Sequence, residues 1–331
     1  MEYQAGNEAI IGIAGKWGDQ FMAKYVASAE EKEFLRNYDI SKFDRPSVTA
    51  DITVFAVRDE MSDEELTQRD KSNYRKDPLR ELQILLVERA SYPYRDQWAL
   101  PGGFSKQGES CDETARRELQ EETGVADAYL RPFGVFSEPG RDPRGWIISH
   151  GYLALIDGRK YRLRAGTDAW EAAWFRIEVT SKEKSRKKDK KNGVVIEIRH
   201  DLFLYQRERN LKLKVSVLER KWFSELHGYH EYEILDAGGL AFDHAKIILN
   251  AYLHLRREAE GLGNVIFDLM PEKFTLNRLQ KAYELVLGKE LLTANFRRKV
   301  APMVIETDEE LVGVGHRPAK LFKRNPEEFY S

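Results

Sequence analysis

The chain has 331 residues, long enough for two domains, with 53 Lys and Arg against 55 Asp and Glu. A net charge of −2 provides no global field for a polyanion, so any nucleic-acid surface must be local. The single cysteine, Cys111, excludes an intrachain disulfide framework and fits a reducing cytoplasm; no apolar run approaches membrane-spanning length, and a start carrying Glu2 and Glu8 does not read as a signal peptide.

Residues 1–45 are expected to form a helical extension. Ser28 and Glu31 have capping-box spacing at the head of AEEKEFLRNY, and Pro46 stops that helix. Val48 to Val57 is β-branched and apolar, which predicts a buried strand; 58–80 is charged and aperiodic, which predicts a loop; Leu82 to Val87 predicts a second strand.

Residues 103–125, GFSKQGESCDETARRELQEETGV, then combine a glycine-rich loop with an acidic helix in the spacing G-x5-E-x7-R-E-L-x-E-E-x-G-V. Ser110 and Glu113 form a second capping box, Asp112 and Glu113 suit the positive end of the helix, and Gly124 suits a left-handed stop. Glu118, Glu121 and Glu122 stand at i+3 and i+4 steps on one face. Like charges so close repel one another, a penalty that a hard cation such as Mg2+ or Mn2+ reverses while bridging to phosphate oxygens. A solvated acidic helix surface does not account for the glycine lead-in, the arginine and the glycine stop at fixed spacing.

These residues resemble the signature of the Nudix hydrolases at every fixed position. The resemblance implies that Glu118, Glu121 and Glu122, with the carbonyl of Gly103, hold divalent metal, and that Arg117 pairs with Glu109 to hold the loop on the helix. It also implies attack of water on a diphosphate-linked nucleoside, the metal acting as Lewis acid.

Ala128–Val135 and Ile147–Ile156 predict two further strands, separated by SEPGRDPRGW, a loop by its Pro and Gly content. There Arg141 and Arg144 are candidates to grip phosphate or carboxylate, and Trp146 to stack on a base; solvated surface arginines are the alternative. Pro139 lies where Nudix hydrolases of ADP-ribose have a proline, and this resemblance favours the ligand-binding reading. WEAAWFRI, residues 170–177, predicts the next strand; Asp168, Glu171 and Glu138 are candidates for a general base or an outer metal ligand, with ordinary surface carboxylates as the alternative. Residues 178–236 depart from the usual family plan: a Lys-rich run at 182–191, expected as an exposed hairpin tip with a nucleic-acid contact as the alternative, is followed by period-two stretches at 194–198 and 211–217 that predict added strands or a dimer contact.

From Gly239 the pattern turns helical. Residues 240–258 predict an amphipathic helix; Leu276, Leu279, Tyr283 and Leu287 recur at helical spacing before Gly288; and a short helix near Thr293 carries Asn295, Arg297, Arg298 and Lys299. Two short strands around a glycine turn follow, with Arg317 and Lys320 near the tip. Helix, turn, basic helix and wing suit DNA, with a helical dimerisation module as the bland alternative. LAFDHA, NFRRK and GHRPAKLF resemble the Nudix-related transcriptional regulators of NAD metabolism, whose box is often degraded; here it is complete. The expectation is therefore an α/β Nudix fold, a mixed sheet sandwiched by helices, with a C-terminal winged helix-turn-helix. The domains divide at 1–45, 46–262 (with 178–236 inserted) and 263–331. The leading functional reading is a cytoplasmic, Mg2+- or Mn2+-dependent hydrolase of ADP-ribose or a similar dinucleotide. The alternative is a homodimeric repressor of operator DNA that senses such a nucleotide.

Overall fold

The computed structural model describes residues 27–59, 80–126, 128–158, 171–189, 193–224, 228–311 and 318–329. Its centre is strand β1 (Ser47–Asp59), which pairs antiparallel with β2 (Arg80–Glu88) and parallel with β6 (Ile147–Ile156). Side chains alternate across a strand, so β1 feeds two cores. Phe55 and Val57 join one cluster; Ala50, Ile52, Val54 and Ala56 join the other, where Ala115 and Leu119 of helix α2 (Cys111–Thr123) cover them. Burial on both faces is why β1 reads as a continuous apolar run. The full sheet adds β5 (Tyr129–Phe136) at one edge and β7 (Ala172–Asp189), β8 (Gly193–Gln206), β9 (Leu211–Phe223) and β10 (Gly228–Asp236) towards the other. Its order is β10-β9-β8-β7-β2-β1-β6-β5, with short β3 (Trp98–Ala99) on β2 and β4 (Gly102–Phe104) on β1.

Several expectations change. Helix α1 (Ala29–Asn37) is capped by Ser28, which accepts from the Glu31 N–H at 3.2 Å, but it stops well before Pro46 and a 3-10 turn, Ile40–Lys42, intervenes. The loop expected at 58–80 falls largely outside the described residues. The Lys-rich run is strand as far as Asp189: β7 is 18 residues long and pairs with β8 from Arg176 to Asp189. Cross-strand hydrogen bonds hold its backbone while the lysine side chains stay in solvent, so the run is exposed as expected but its described part is paired strand, and Lys190 and Lys191 lie outside the described residues. The period-two stretches do form β8 and β9. A buried polar knot ties this part of the sheet together: Glu219, 1 % exposed, contacts His200 at 3.0 Å, His230 at 2.9 Å and Tyr232 at 3.1 Å.

Helix α3 (His244–Ala259) starts four residues later than its amphipathic pattern suggests. Leu240 and Ala241 are held beside Trp98, and Phe242 adopts φ 52°, a left-handed conformation that ends the preceding bridge before the helix begins. Beyond it, the 3-10 segment Asn264–Leu269 leads to α4 (Leu276–Leu287) and α5 (Thr293–Val300). Gly288 makes the left-handed stop of α4 at φ 63°, and the Gln280 amide donates to the Leu291 carbonyl at 2.9 Å, fixing the turn. Strands β11 (Val304–Leu311) and β12 (Ala319–Arg324) form the wing, and Phe274 bridges to Phe322. Leu279, Tyr283, Phe296 and Val300 share one continuous core with α3 and the β2–β7 face of the sheet.

Candidate functional site

Helix α2 is built as its sequence requires. The Ser110–Glu113 capping box is complete, and Gly124 stops the helix at φ 74°. Arg117 spans loop and helix: Nε and Nη2 donate to the two Glu109 oxygens at 2.7 and 2.9 Å, Nη2 reaches the Phe104 carbonyl at 3.1 Å, and Nη1 donates to Glu118 at 2.5 Å. These bonds from Arg117 hold the Glu109 carboxyl at about 2 and raise the guanidinium above its usual range.

Two glycines admit the helix to the sheet. A Cβ on Gly102 would meet the Ala50 carbonyl oxygen at 2.2 Å, and one on Gly103 would meet the Glu118 carboxylate at 2.6 Å. The open space lets Glu122 accept from the Gly102 N–H at 2.9 Å. Burial pushes the Glu122 carboxyl up to about 8, with Glu118 and Asp51 adding like charge. Glu118 and Glu122 thus converge on the Gly102–Gly103 backbone. Glu121 does not join them: it is 56 % exposed at the outer edge, 3.3 Å from Arg117.

Among the described residues no three His, Cys, Asp or Glu side chains make a ready metal cage. The donor set nevertheless suits a hard cation: the carboxylates of half-buried Glu122 and of Glu118 beside backbone that a side chain would block.

A charged strip continues from this point. Asp51 of β1, 8 % exposed, accepts from Ser149 at 2.5 Å and lies 3.4 Å from Arg141. Arg141 grips Asp243 with two bonds, at 2.9 and 2.7 Å. His244 is buried; its Nδ1 accepts from the Leu100 N–H at 2.8 Å, which leaves Nε2 facing Asp51 at 3.7 Å, and burial lowers its pKa. Arg89 lies 4.7 Å from the centre of the Phe242 ring, and Tyr94 packs on the same ring at 4.7 Å.

The remaining expected ligand residues are brought in unequally. Pro139 and Arg141 line a cavity of about 420 Å³ with Tyr94, Phe242, Asp243 and Lys246. Of the two partners expected for Arg141, phosphate or carboxylate, the fork is engaged by a carboxylate, that of Asp243, because a buried guanidinium takes the nearest carboxylates. Arg144 pairs with Asp142 at 2.6 Å and lies 5.2 Å from Phe242, while Trp146 is 55 % exposed and outside the cavity lining. Glu138 pairs with Lys246 and Glu171 with Arg209; Asp168 lies outside the described residues. Sequence reasoning missed Asp51, Arg89, Asp243 and His244 as site residues. An aspartate inside the apolar run TADITVFAV was the available signal for the first.

On α5, Asn295, Arg297, Arg298 and Lys299 are exposed while Phe296 and Val300 anchor the helix. Lys320 of the wing is tied to Glu306 across the hairpin, and Arg317 lies outside the described residues.

The model for the NUDIX domain matches residues 76–194, and that for the NrtR DNA-binding winged helix domain matches residues 266–323. The chain is a Nudix domain joined to an NrtR-type winged helix. Its mixed sheet with α2 on one face and α3 on the other is the Nudix fold, followed by the winged helix. The Nudix–winged-helix chain is 28% identical over 306 residues to the "ADPR responsive transcriptional repressor NtrR" of Acinetobacter baylyi, covering 91% of each chain. It is 44% identical over 92 residues to the ADP-ribose pyrophosphatase of Methanocaldococcus jannaschii, a match to 28% of this chain and 53% of that enzyme. In architecture it is similar to a MutT/nudix family protein of Enterococcus faecalis, with TM-score 0.58 and 24% identity over 91% of this chain and all of that one. It is likewise similar to Shewanella oneidensis NrtR, with TM-score 0.52 and 23% identity over 85% of this chain and 94% of that one.

Proposed function

We propose that the protein is a DNA-binding transcriptional regulator that reads ADP-ribose, or a closely related nucleoside diphosphate sugar, through its Nudix domain. The similarity to an ADPR-responsive repressor over 91% of both chains carries this reading, because it takes in sensor and DNA-binding module together. The geometry supports it: α5 presents Arg297, Arg298 and Lys299 to solvent on a helix whose Phe296 is rooted in the core shared with the Nudix sheet. A ligand that moves the sheet or α3 therefore moves the helix offered to phosphates and base edges. The regulator acts as a homodimer on a two-fold operator, the usual arrangement for such modules. The experiment is binding of the full chain to palindromic duplexes drawn from the DNA upstream of its own and neighbouring genes, with and without ADP-ribose. Binding that steepens at low salt and changes with ADP-ribose supports the reading. Indifference to every duplex overturns it.

Hydrolysis stands as the second reading, and the order expected from sequence is reversed because the full-length similarity is to a repressor. What favours it is that Glu118, Glu121 and Glu122 are all present and that Arg117 is already locked to Glu109. Glu118, Glu122 and the Gly103 carbonyl would hold Mg2+ or Mn2+, with Glu121 as an outer donor. The metal, when bound, supplies a Lewis acid for the diphosphate. Metal-dependent release of AMP from ADP-ribose, lost in Glu122→Gln, tests it.

A further inference from the structure

The cavity of about 420 Å³ lined by Pro139 and Arg141 has two walls of different origin. One is the Nudix loop and the start of α3, with Tyr94, Pro139, Arg141 and Asp243; the other is the added sheet, with Arg220 of β9 and Glu231 to Ile234 of β10. The cations on these walls are already matched. Arg141 is held by Asp243 at 2.7 Å, Arg220 by Glu233 at 2.6 Å, and Lys246 by Glu138 at 2.5 Å. Glu231 is left over: it stands opposite Arg220 in the strand register, but that guanidinium is taken by Glu233 and Glu197, and among the described residues the Glu231 carboxylate has no hydrogen-bond or ion-pair partner of its own.

A cavity with one uncompensated carboxylate accepts hydrogen-bond donors and repels added negative charge. Tyr94 and Pro139 supply flat apolar surface at the same place, and Arg141 ties the cavity to Asp51 and so to the diphosphate end of the site.

We infer that strand β10 makes this cavity a nucleoside subsite that selects against phosphate, so that the protein binds ADP-ribose and rejects its 2′-phosphorylated form. Glu231 faces the ribose hydroxyls, which an ordinary ribose satisfies by donating and a 2′-phosphate cannot. This rests on the ADP-ribose reading of the same site.

The test is calorimetric titration of the full chain with ADP-ribose and with 2′-phospho-ADP-ribose, each in wild type, Glu231→Gln and Glu231→Lys. Glu231 is exposed on a strand edge, and matched melting curves will confirm that the variants fold. Wild type is expected to favour ADP-ribose by about tenfold or more, the size of one unfavourable charge contact. Glu231→Gln is expected to narrow that ratio about threefold and Glu231→Lys to narrow it further or invert it. Equal affinities in wild type, or a ratio unmoved by both variants, overturn the selectivity while leaving ADP-ribose recognition standing. Failure of wild type to bind either ligand overturns both.

Discussion

Glu122 is joined to the backbone of Gly102 by one hydrogen bond of 2.9 Å, and the Glu118 carboxylate lies where a Cβ on Gly103 would sit 2.6 Å away. The glycine pair thus brings two carboxylates to one stretch of backbone, Glu118 already paired with Arg117 and Glu122 held by the Gly102 N–H.

The first prediction concerns pH. Burial raises the Glu122 carboxyl from 4.5 to about 8 in the folded protein. A folded-state value above the unfolded one means that its contribution is complete below about pH 4.5 and is lost as pH rises through 8. Metal-free wild type is therefore expected to lose stability progressively between about pH 4.5 and 8 and to level off above that. Glu122→Gln should flatten that loss, gaining about 2 kcal/mol at the alkaline end, and added Mg2+ should restore wild type alone. Thermal denaturation across the series reads all three; a variant with an unchanged profile contradicts the assignment.

Gly103→Ala places a methyl group against the Glu118 carboxylate. Glu118 must leave, so Mn2+ binding should weaken by about tenfold or more while the fold loses only about 1–2 kcal/mol. Manganese titration followed by electron paramagnetic resonance, with denaturant melts, separates the two effects.

How far the sequence foretold this site depended on whether the signal was local. The capping box, the Arg117–Glu109 pair and the Gly124 stop are each set within one loop and helix, and all were legible. Asp51, Arg89 and Asp243 were not, since they meet only when β1, the end of β2 and the start of α3 are brought together. The same distinction holds for the fold. Period two announced β8 and β9, but a lysine run has no pattern that separates a strand with two solvated faces from a turn, and β7 was cut short accordingly. Arg141 shows the limit at a single residue: a phosphate or a carboxylate was expected in its fork, and which carboxylate could not be read because Asp243 lies 102 residues away.

The added sheet has its own acid sensitivity. Burial opposes charge on Glu219, but hydrogen bonds from His200, His230 and Lys221 outweigh it and hold the carboxyl at about 2. A depressed folded-state value gives stability that is full above about pH 4.5 and is lost as pH falls towards 2. Glu219→Gln is expected to destabilise the protein by about 2 kcal/mol at pH 7 and by much less at pH 3. Equal losses at both pH values in urea melts would sink this account.

Arg297→Ala and Arg298→Ala each remove an exposed cation from α5 without touching Phe296 or Val300. Each should weaken duplex binding several-fold and lower the salt slope by about one ion. Lys320→Ala should do less, since its charge is already matched by Glu306. Fluorescence anisotropy at several salt concentrations gives the ordering.

The most direct measurement of the central claim is the affinity of the full chain for its operator duplex, titrated with ADP-ribose at fixed salt in the absence of divalent metal, so that turnover is suppressed. The account predicts that ADP-ribose shifts the dissociation constant by about tenfold or more, and that the reciprocal shift appears when ADP-ribose affinity is measured with and without the duplex. An operator affinity that stays the same while the Nudix domain is saturated with ADP-ribose would contradict it.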